Sequence, residues 1–201
     1  MIRKVLLSFL ILNGVNSHIQ SQSLLHPISY TVNSAYNAND PRYNDNGIRL
    51  TDGIIGVLED QVWSGWLNYT NGSNAFIQPT INFSFDQNVS IDTVNIYFSR
   101  NDLAAVFLPQ YVIIGNDTFS LMPSPLADHT SGWLTFSGNW SGNIITVKTD
   151  GYQYSTPLNP YSSDDFTFIA EVTFSGVPEP SALSLLAVGL GGLAIIRRRR
   201  S

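Results

Sequence analysis

The 201-residue sequence predicts an all-β sandwich or jelly roll. Apolar and polar residues alternate with a period of two through its central part, and Asn-Gly, Ser-Gly and Asp-Gly pairs punctuate the alternating segments. No stretch of useful length has the periodicity of an amphipathic helix. The chain contains no cysteine, so its core must hold the fold without disulfide bonds.

The alternation is clearest in the segments 81–85, 94–98 and 166–174. Further strands are predicted near 109–115, 117–121, 133–137 and 143–149. In the last strand, one face is predicted to pack on the core and to consist of Phe166, Phe168, Ala170, Val172 and Phe174.

Residues 1–23 have the pattern of a secretory signal peptide, which leaves residues 24–176 as the β-sandwich domain and residues 177–201 as a C-terminal segment. Arg3 and Lys4 precede a short apolar run, and small residues suited to cleavage follow it, with Ser17 as the first candidate and Ser21 or Ser23 as the alternatives. The alternative is a buried N-terminal strand, which the two basic residues directly before the run disfavour.

The C-terminal segment contains 15 uncharged residues, Ala182 to Ile196, followed by Arg197, Arg198, Arg199 and Arg200. As a helix this run spans about 22 Å, which is short for a hydrocarbon core of about 30 Å. Arginine side chains can reach the lipid headgroups and keep that end in the cytoplasm. A short transmembrane helix with the preceding domain outside is therefore expected.

Val177, Pro178, Glu179 and Pro180 come directly before this run. Two prolines disfavour a continuing strand or helix, so an extended and exposed stretch is expected, which is the form that a protease needs. The order of motif, apolar run and basic cluster resembles the PEP-CTERM sorting signal of Gram-negative exopolysaccharide producers. The resemblance implies export, transient anchoring in the inner membrane, and processing by an exosortase before the protein reaches the cell surface or extracellular matrix.

The charge of the central domain excludes one class of partner. Between residues 23 and 176 there are four basic and fourteen acidic side chains. Such a surface repels phosphate backbones, so no nucleic-acid partner is expected, whereas divalent cations are attracted.

Six segments of residues 45–176 follow one another in a recognisable order: Arg49–Gly53, Val62–Trp66, Ile81–Asp86, Ile91–Phe98, Leu108–Ile114 and Phe168–Gly176. This order resembles the discoidin, or coagulation-factor type C, family of galactose-binding-like jelly rolls. The usual terminal disulfide of that family is absent here.

The resemblance implies one structural calcium ion. Asp52 and Glu171 stand where the family places carboxylate ligands, and the backbone carbonyls of Arg49 and Ile54 would complete the shell. Gly53 permits the tight turn that such a loop requires. The alternative is an ordinary Asp-Gly turn and an exposed strand glutamate.

Arg100 and Asn101 lie in a loop that contributes ligand contacts in the resembling family, and planar arginine donors suit sugar hydroxyls. Arg100 could instead pair with Asp102. Aromatic platforms for a sugar are expected beside the loops, and the candidates are Trp66, Tyr69, Trp133 and Tyr154. Trp63 is predicted to fill the core, and Trp133 and Trp140 have that alternative too.

No catalytic motif is found, and His26 and His129 stand in turn-like contexts. The expected function is that of a non-catalytic carbohydrate-binding or extracellular-matrix module that recognises a polysaccharide or surface glycan. A purely structural biofilm or surface protein is the alternative, and a hydrolase with an unrecognised site is the least favoured.

Overall fold

The computed structural model describes residues 23–33, 43, 45–57, 62–67, 79–150 and 166–178. These residues form eight antiparallel strands and a short 3₁₀ turn at Asp102–Ala104. The strands are β1 (Ser23–Leu25), β2 (Ser29–Val32), β3 (Ser64–Leu67), β4 (Thr80–Arg100), β5 (Tyr111–Ile114), β6 (Asp117–Ser120), β7 (Thr130–Asp150) and β8 (Phe166–Pro178).

Two long strands, β4 and β7, organise the sheet. They pair with each other from Thr80 opposite Lys148 to Arg100 opposite Thr130. The strand order is β1-β8-β4-β7-β5-β6, while β2 adds to the first half of β4 and β3 adds to β8. The β4–β7 register shifts between Ser84 and Val89, and such an irregularity bends both strands.

The bend folds the sheet into a sandwich around one aromatic core. Phe83, in the first half of β4, has its ring 4.9 Å from that of Phe174 on β8. Phe85 contacts the same ring edge-on at 5.4 Å. Since Phe174 pairs through its backbone with Val94 in the second half of β4, these contacts join the two halves of the sheet. The predicted all-β sandwich is therefore confirmed.

Strand β8 departs from the predicted alternation. Tyr97 of β4 is opposite Glu171, but Phe98 is opposite Ile169, so Ala170 is an extra residue. Ile169 consequently joins the main core, whereas Phe168 and Ala170 pack in a second apolar cluster. The prediction that Phe168 and Ala170 share a face with Phe174 is wrong because this bulge reverses the side-chain direction.

The other predicted strands are confirmed with changed limits. The segments 81–85 and 94–98 belong to one strand, β4, and the segments 133–137 and 143–149 both belong to β7. Strands β1, β2 and β3 were not predicted. No helix within the described residues has the length and hydropathy needed to cross a membrane.

Truncation of Phe174 should show that the two halves of the sheet depend on one contact. We expect Phe174→Ala to lower the free energy of unfolding by about 3–5 kcal/mol, because the ring is fully buried. Urea unfolding of a purified fragment of residues 23–178 measures this change. Ile144→Ala is the control, since Ile144 is 55% exposed and should change stability by about 0.5 kcal/mol. Equal effects of both substitutions would contradict the proposed core.

Candidate ligand and metal sites

The loop at residues 45–57 is hydrogen-bonded to β8 at Glu171 and Val172. The backbone N–H of Gly53 donates to Oε2 of Glu171 at 3.0 Å, and the N–H of Val172 donates to the carbonyl of Leu50 at 2.8 Å. Asp52 accepts from the N–H of Ile54 at 2.9 Å, and Gly53 has a φ of +76°, which suits glycine. The structure therefore brings Asp52 and Glu171, the two carboxylates of the predicted ion site, to one place.

The carboxyl group of Glu171 has unusual electrostatics. Burial raises its pKa to about 7, the hydrogen bond from Gly53 opposes that rise, and the charge of Asp52 adds to it. The group faces a cavity of about 210 Å³. The cavity is lined by Leu24, Leu25, His26, Pro27, Thr51, Asp52, Gly53, Glu171, Val172 and Thr173.

Few side chains around this cavity could serve as ligands for a metal ion. Within the described parts of the chain, no three His, Cys, Asp or Glu side chains are grouped so as to hold a metal ion. Two carboxylates and the carbonyls of a tight loop are nevertheless donors that calcium accepts. Arg49 and Ile54 lie in this loop, where the side chain of Arg49 donates to the carbonyl of Trp63 at 2.9 Å. Such oxygen donors suit a hard cation better than a transition metal, but Arg49 and Ile54 are not among the residues that line the cavity.

Arg100 is held in a network at the end of β4. Its guanidinium donates from Nε and Nη2 to the two oxygens of Asp102, at 2.9 and 2.8 Å, and from Nη1 to the carbonyl of Leu126 at 2.7 Å. These bonds to Asp102 raise the pKa of Arg100. Three of its five N–H groups are thus engaged within the protein, and two are left for a ligand. The alternative pairing with Asp102 is present.

Two other ligand-binding candidates, Asn101 and Trp66, are buried. Asn101 is buried, and its side chain caps the 3₁₀ turn by accepting from the N–H of Ala104 at 3.3 Å. Trp66 is fully buried in the main core, so its role as an open sugar platform is wrong. It pairs with Thr167 on β8, which places the ring between strands and not in a loop. Tyr69 and Tyr154 lie outside the described residues.

Trp133 lies on a strand face and remains accessible. It is 41% exposed, and its ring meets that of Tyr97 edge-on at 5.1 Å. Tyr97 in turn stacks on the fully buried Trp63 at 5.6 Å, which confirms Trp63 as a core residue. Asn95 and Thr135, two residues along their strands from Tyr97 and Trp133, lie on the same face of the sheet. The side-chain oxygen of Asn95 accepts a hydrogen bond from the hydroxyl of Thr135 at 2.8 Å. An exposed indole thus lies next to fixed amide and hydroxyl groups.

A second cavity, of about 330 Å³, was not predicted from the sequence. It lies between the β5–β6 turn and the bend of β7, where Nε1 of Trp140 donates to Asp117 at 2.9 Å. Trp140 itself is buried, as the core alternative expected. The lining residues are Gly115, Asn116, Asp117, Asn139, Trp140, Ser141, Ile144, Ile145 and Thr146. Asp117 and Trp140 are 23 residues apart, so no local sequence motif predicts their contact.

The sorting residues fall at the limit of the description. Val177 and Pro178 are the last two residues of β8. Glu179, Pro180, the apolar run 182–196 and Arg197 to Arg200 lie outside the described residues.

The pKa of Glu171 predicts a specific pH dependence of stability. Its value of about 7 in the folded protein exceeds the ordinary 4.5, so the folded state binds the proton more tightly. The free energy of unfolding should therefore fall as pH rises from 4.5 to 7, by up to about 1.4 kcal/mol per pH unit. Chemical denaturation in chelator at pH 5 and pH 8 measures this loss.

Glu171→Gln is the matched variant for this measurement, because glutamine can still accept from Gly53 but does not titrate. We expect the wild type to lose stability relative to the variant between pH 5 and pH 8. Parallel pH profiles of the two proteins would contradict the assigned pKa.

Comparisons with known proteins agree with part of this description. Residues 176–200 match the PEP-CTERM protein-sorting motif family. No curated protein matches the sequence.

Solved structures give low similarity over most of the chain. A chitosan-binding module from a chitosanase/glucanase of Paenibacillus sp. IK-5 is 9% identical, with 76% of this chain and 96% of that chain covered and a TM-score of 0.43. The family 32 carbohydrate-binding module of C. perfringens NanJ, solved with galactose, is 13% identical, with 77% and 98% covered and a TM-score of 0.39.

A fucolectin from striped bass (Morone saxatilis) serum is 16% identical, with 76% and 48% covered and a TM-score of 0.42. The identified part of the chain is thus its C-terminal segment: residues 176–200 are a PEP-CTERM protein-sorting motif, which implies export and sorting to the surface.

Proposed function

We propose that this protein is an exported, surface-sorted and non-catalytic module that binds carbohydrate. The observation that carries the proposal is the exposed indole of Trp133. This indole packs against Tyr97, which in turn stacks on the buried Trp63. A sugar ring presents an apolar C–H face that packs on such an indole. Because the contact with Tyr97 restricts the indole of Trp133, less side-chain entropy is lost on binding than for an indole without such a contact.

The polar groups near Trp133 suit sugar hydroxyls. Thr135, Asn95 and Thr173 form a hydrogen-bonded row across three strands on this face. Arg100 pairs with Thr130, three residues from Trp133, so by alternation it lies on the opposite face of the sheet and is not part of this row. The acidic surface disfavours polyanionic chains, so a neutral polysaccharide or surface glycan is the proposed ligand.

We propose further that one structural calcium ion binds at the cavity of Asp52 and Glu171, with backbone carbonyls of Arg49 and Ile54 as further ligands. Burial, with a smaller contribution from the charge of Asp52, raises the pKa of Glu171, and this supports the proposal. A divalent cation there would neutralise the charge that burial makes costly, and would stabilise the ionised form of Glu171.

The proposed route follows from the sorting motif. A signal peptide at residues 1–23 directs export, and residues 182–196 with Arg197 to Arg200 anchor the chain transiently in the inner membrane of a Gram-negative cell. An exosortase-type enzyme then processes the motif. The β-domain finally resides on the cell surface or in the extracellular matrix.

Calcium should raise the melting temperature of a purified fragment of residues 23–178. At a concentration of 100 times the dissociation constant, the stabilisation is about 2.7 kcal/mol, or several degrees for a domain of this size. We expect Asp52→Ala to abolish the rise. Asp86→Ala, at an exposed position in the bend of β4, should retain it. An unchanged melting temperature of the wild type would contradict the ion site.

Trp133→Ala should weaken binding of the same fragment to the host's exopolysaccharide at least tenfold, which corresponds to about 1.4 kcal/mol. Titration calorimetry in calcium and in chelator measures the affinity. Ile28→Ala, which removes an exposed apolar side chain that lines neither cavity, is the control and should bind normally. Loss of binding in Asp117→Ala alone would move the site to the second cavity.

No binding by a well-folded fragment would favour the structural surface protein instead. The hydrolase alternative has one observation in its favour, the pair of Asp52 and Glu171 in a single cavity with the pKa of Glu171 near 7. Release of reducing ends from the polysaccharide, abolished in Glu171→Gln, would establish an enzyme.

A further inference from the structure

The sorting motif and the last strand share residues. The motif begins at Gly176, whereas β8 continues to Pro178. Three residues of the motif, Gly176, Val177 and Pro178, are therefore part of the sheet. There is no spacer between the folded domain and the segment that a processing enzyme must recognise.

Gly176 is the most tightly enclosed of the three. Its backbone lies between Ile91 of β4 and Ser23 of β1, and the hydroxyl of Ser23 donates to its carbonyl at 3.4 Å. A Cβ atom at this position would overlap the carbonyl oxygen of Ser90 and lie 2.8 Å from Cα of Ile91. Only glycine allows this close approach of the two strands.

Pairing continues beyond Gly176. Val177 is opposite Ser90, and Pro178 is opposite Val89, which is itself buried. Phe174, two residues before Gly176, is fully buried in the core. The end of β8 is thus held by the burial of Phe174 and by its pairing with β4.

A peptide-cleaving enzyme binds its substrate as an extended segment and pairs with the substrate backbone. Backbone groups that already pair within a sheet are not open to such binding. Resting on the proposed sorting at this motif, we infer that the processing enzyme cuts on the C-terminal side of Pro178, so that the mature protein keeps all of β8. The cut breaks a peptide C–N bond, passes the acyl group to water or an amine, and moves the nucleophile's proton to the leaving amine.

Both chain ends support this geometry. Leu24, the first residue after the predicted signal peptide, is the direct partner of Ser175, which is next to Gly176. Removal of the two terminal segments therefore occurs at one end of the domain. Along β4, Ile91 opposite Gly176 is eight residues, or about 27 Å, from Ser99 beside the Arg100 loop. Processing at this end leaves the proposed ligand residues untouched.

The first test is the C-terminus of the processed protein. The full chain is expressed in a native host that produces the sorting enzyme, and the C-terminal peptide of the surface form is identified by mass spectrometry. We expect the last residue to be Pro178 or a later one. A C-terminus at Val177 or earlier would overturn the inference and leave sorting itself intact. Recovery of the surface form with Arg197 to Arg200 would overturn both proposals.

The second test releases the strand end. Gly176→Val should displace the end of β8, and the surface form should then acquire additional C-termini before Pro178. Gly132→Val is the matched control on β7, because a Cβ atom there meets only the end of the Leu126 side chain, at 3.2 Å, and no backbone atom. The control should keep the wild-type C-terminus. Additional C-termini in both variants, or in neither when Gly176→Val is folded, would overturn the inference.

A third variant covers the case in which Gly176→Val does not fold. Insertion of Gly-Ser-Gly between Val177 and Pro178 leaves Gly176 unchanged and moves the rest of the motif away from the sheet. We expect the fraction of unprocessed precursor to fall at least twofold in a pulse-chase experiment. An unchanged fraction would show that the sheet does not restrict the enzyme.

Discussion

The antiparallel pairing of β4 with β7 is the constraint on which the rest of the structure depends. It runs from Thr80 to Arg100 and is interrupted between Ser84 and Val89. Because the strands bend there, the ring of Phe83 contacts the ring of Phe174, and the two halves of the sheet enclose the core between them. The chain has no cysteine, so this closure must come from side-chain packing and backbone hydrogen bonds.

Much of this fold could be predicted from the sequence, because alternation is a local signal. It located both halves of β4 and of β7, but it could not show that each pair of segments forms one bent strand. The bulge at Ala170 depends on how Tyr97 and Phe98 pair across the sheet, and no local pattern contains that information. Strands β1, β2 and β3 have only three or four residues each, too few to establish a period.

The prediction of candidate site residues succeeded for some residues and failed for others, for physical reasons. Asp52 and Glu171 lie together because Gly53 and Leu50 bond the loop to β8, across a separation of 118 residues between Gly53 and Glu171 that alternation cannot bridge. Trp66 was misplaced because exposure depends on which layer covers a strand, and it lies between strands in the core. The pair of Asp117 and Trp140 escaped detection because only the bend of β7 brings them together.

The proposed ion site and the proposed sugar face belong to one packed unit. Tyr97 is the backbone neighbour of Trp133 on one side and of Glu171 on the other. Trp63 stacks on Tyr97, its indole N–H donates to the carbonyl of Val57 at 2.9 Å, and its own carbonyl accepts from Arg49. Both Val57 and Arg49 lie in the loop that carries Asp52.

An ion that orders this loop would therefore also fix Trp63, and through it the ring of Tyr97 against which Trp133 packs. The coupling needs no conformational change, because it acts by reducing the freedom of groups that are already in contact. Calcium-dependent carbohydrate binding would follow from this contact path even though the ion and the sugar lie two strands apart, about 10 Å, and share no ligand.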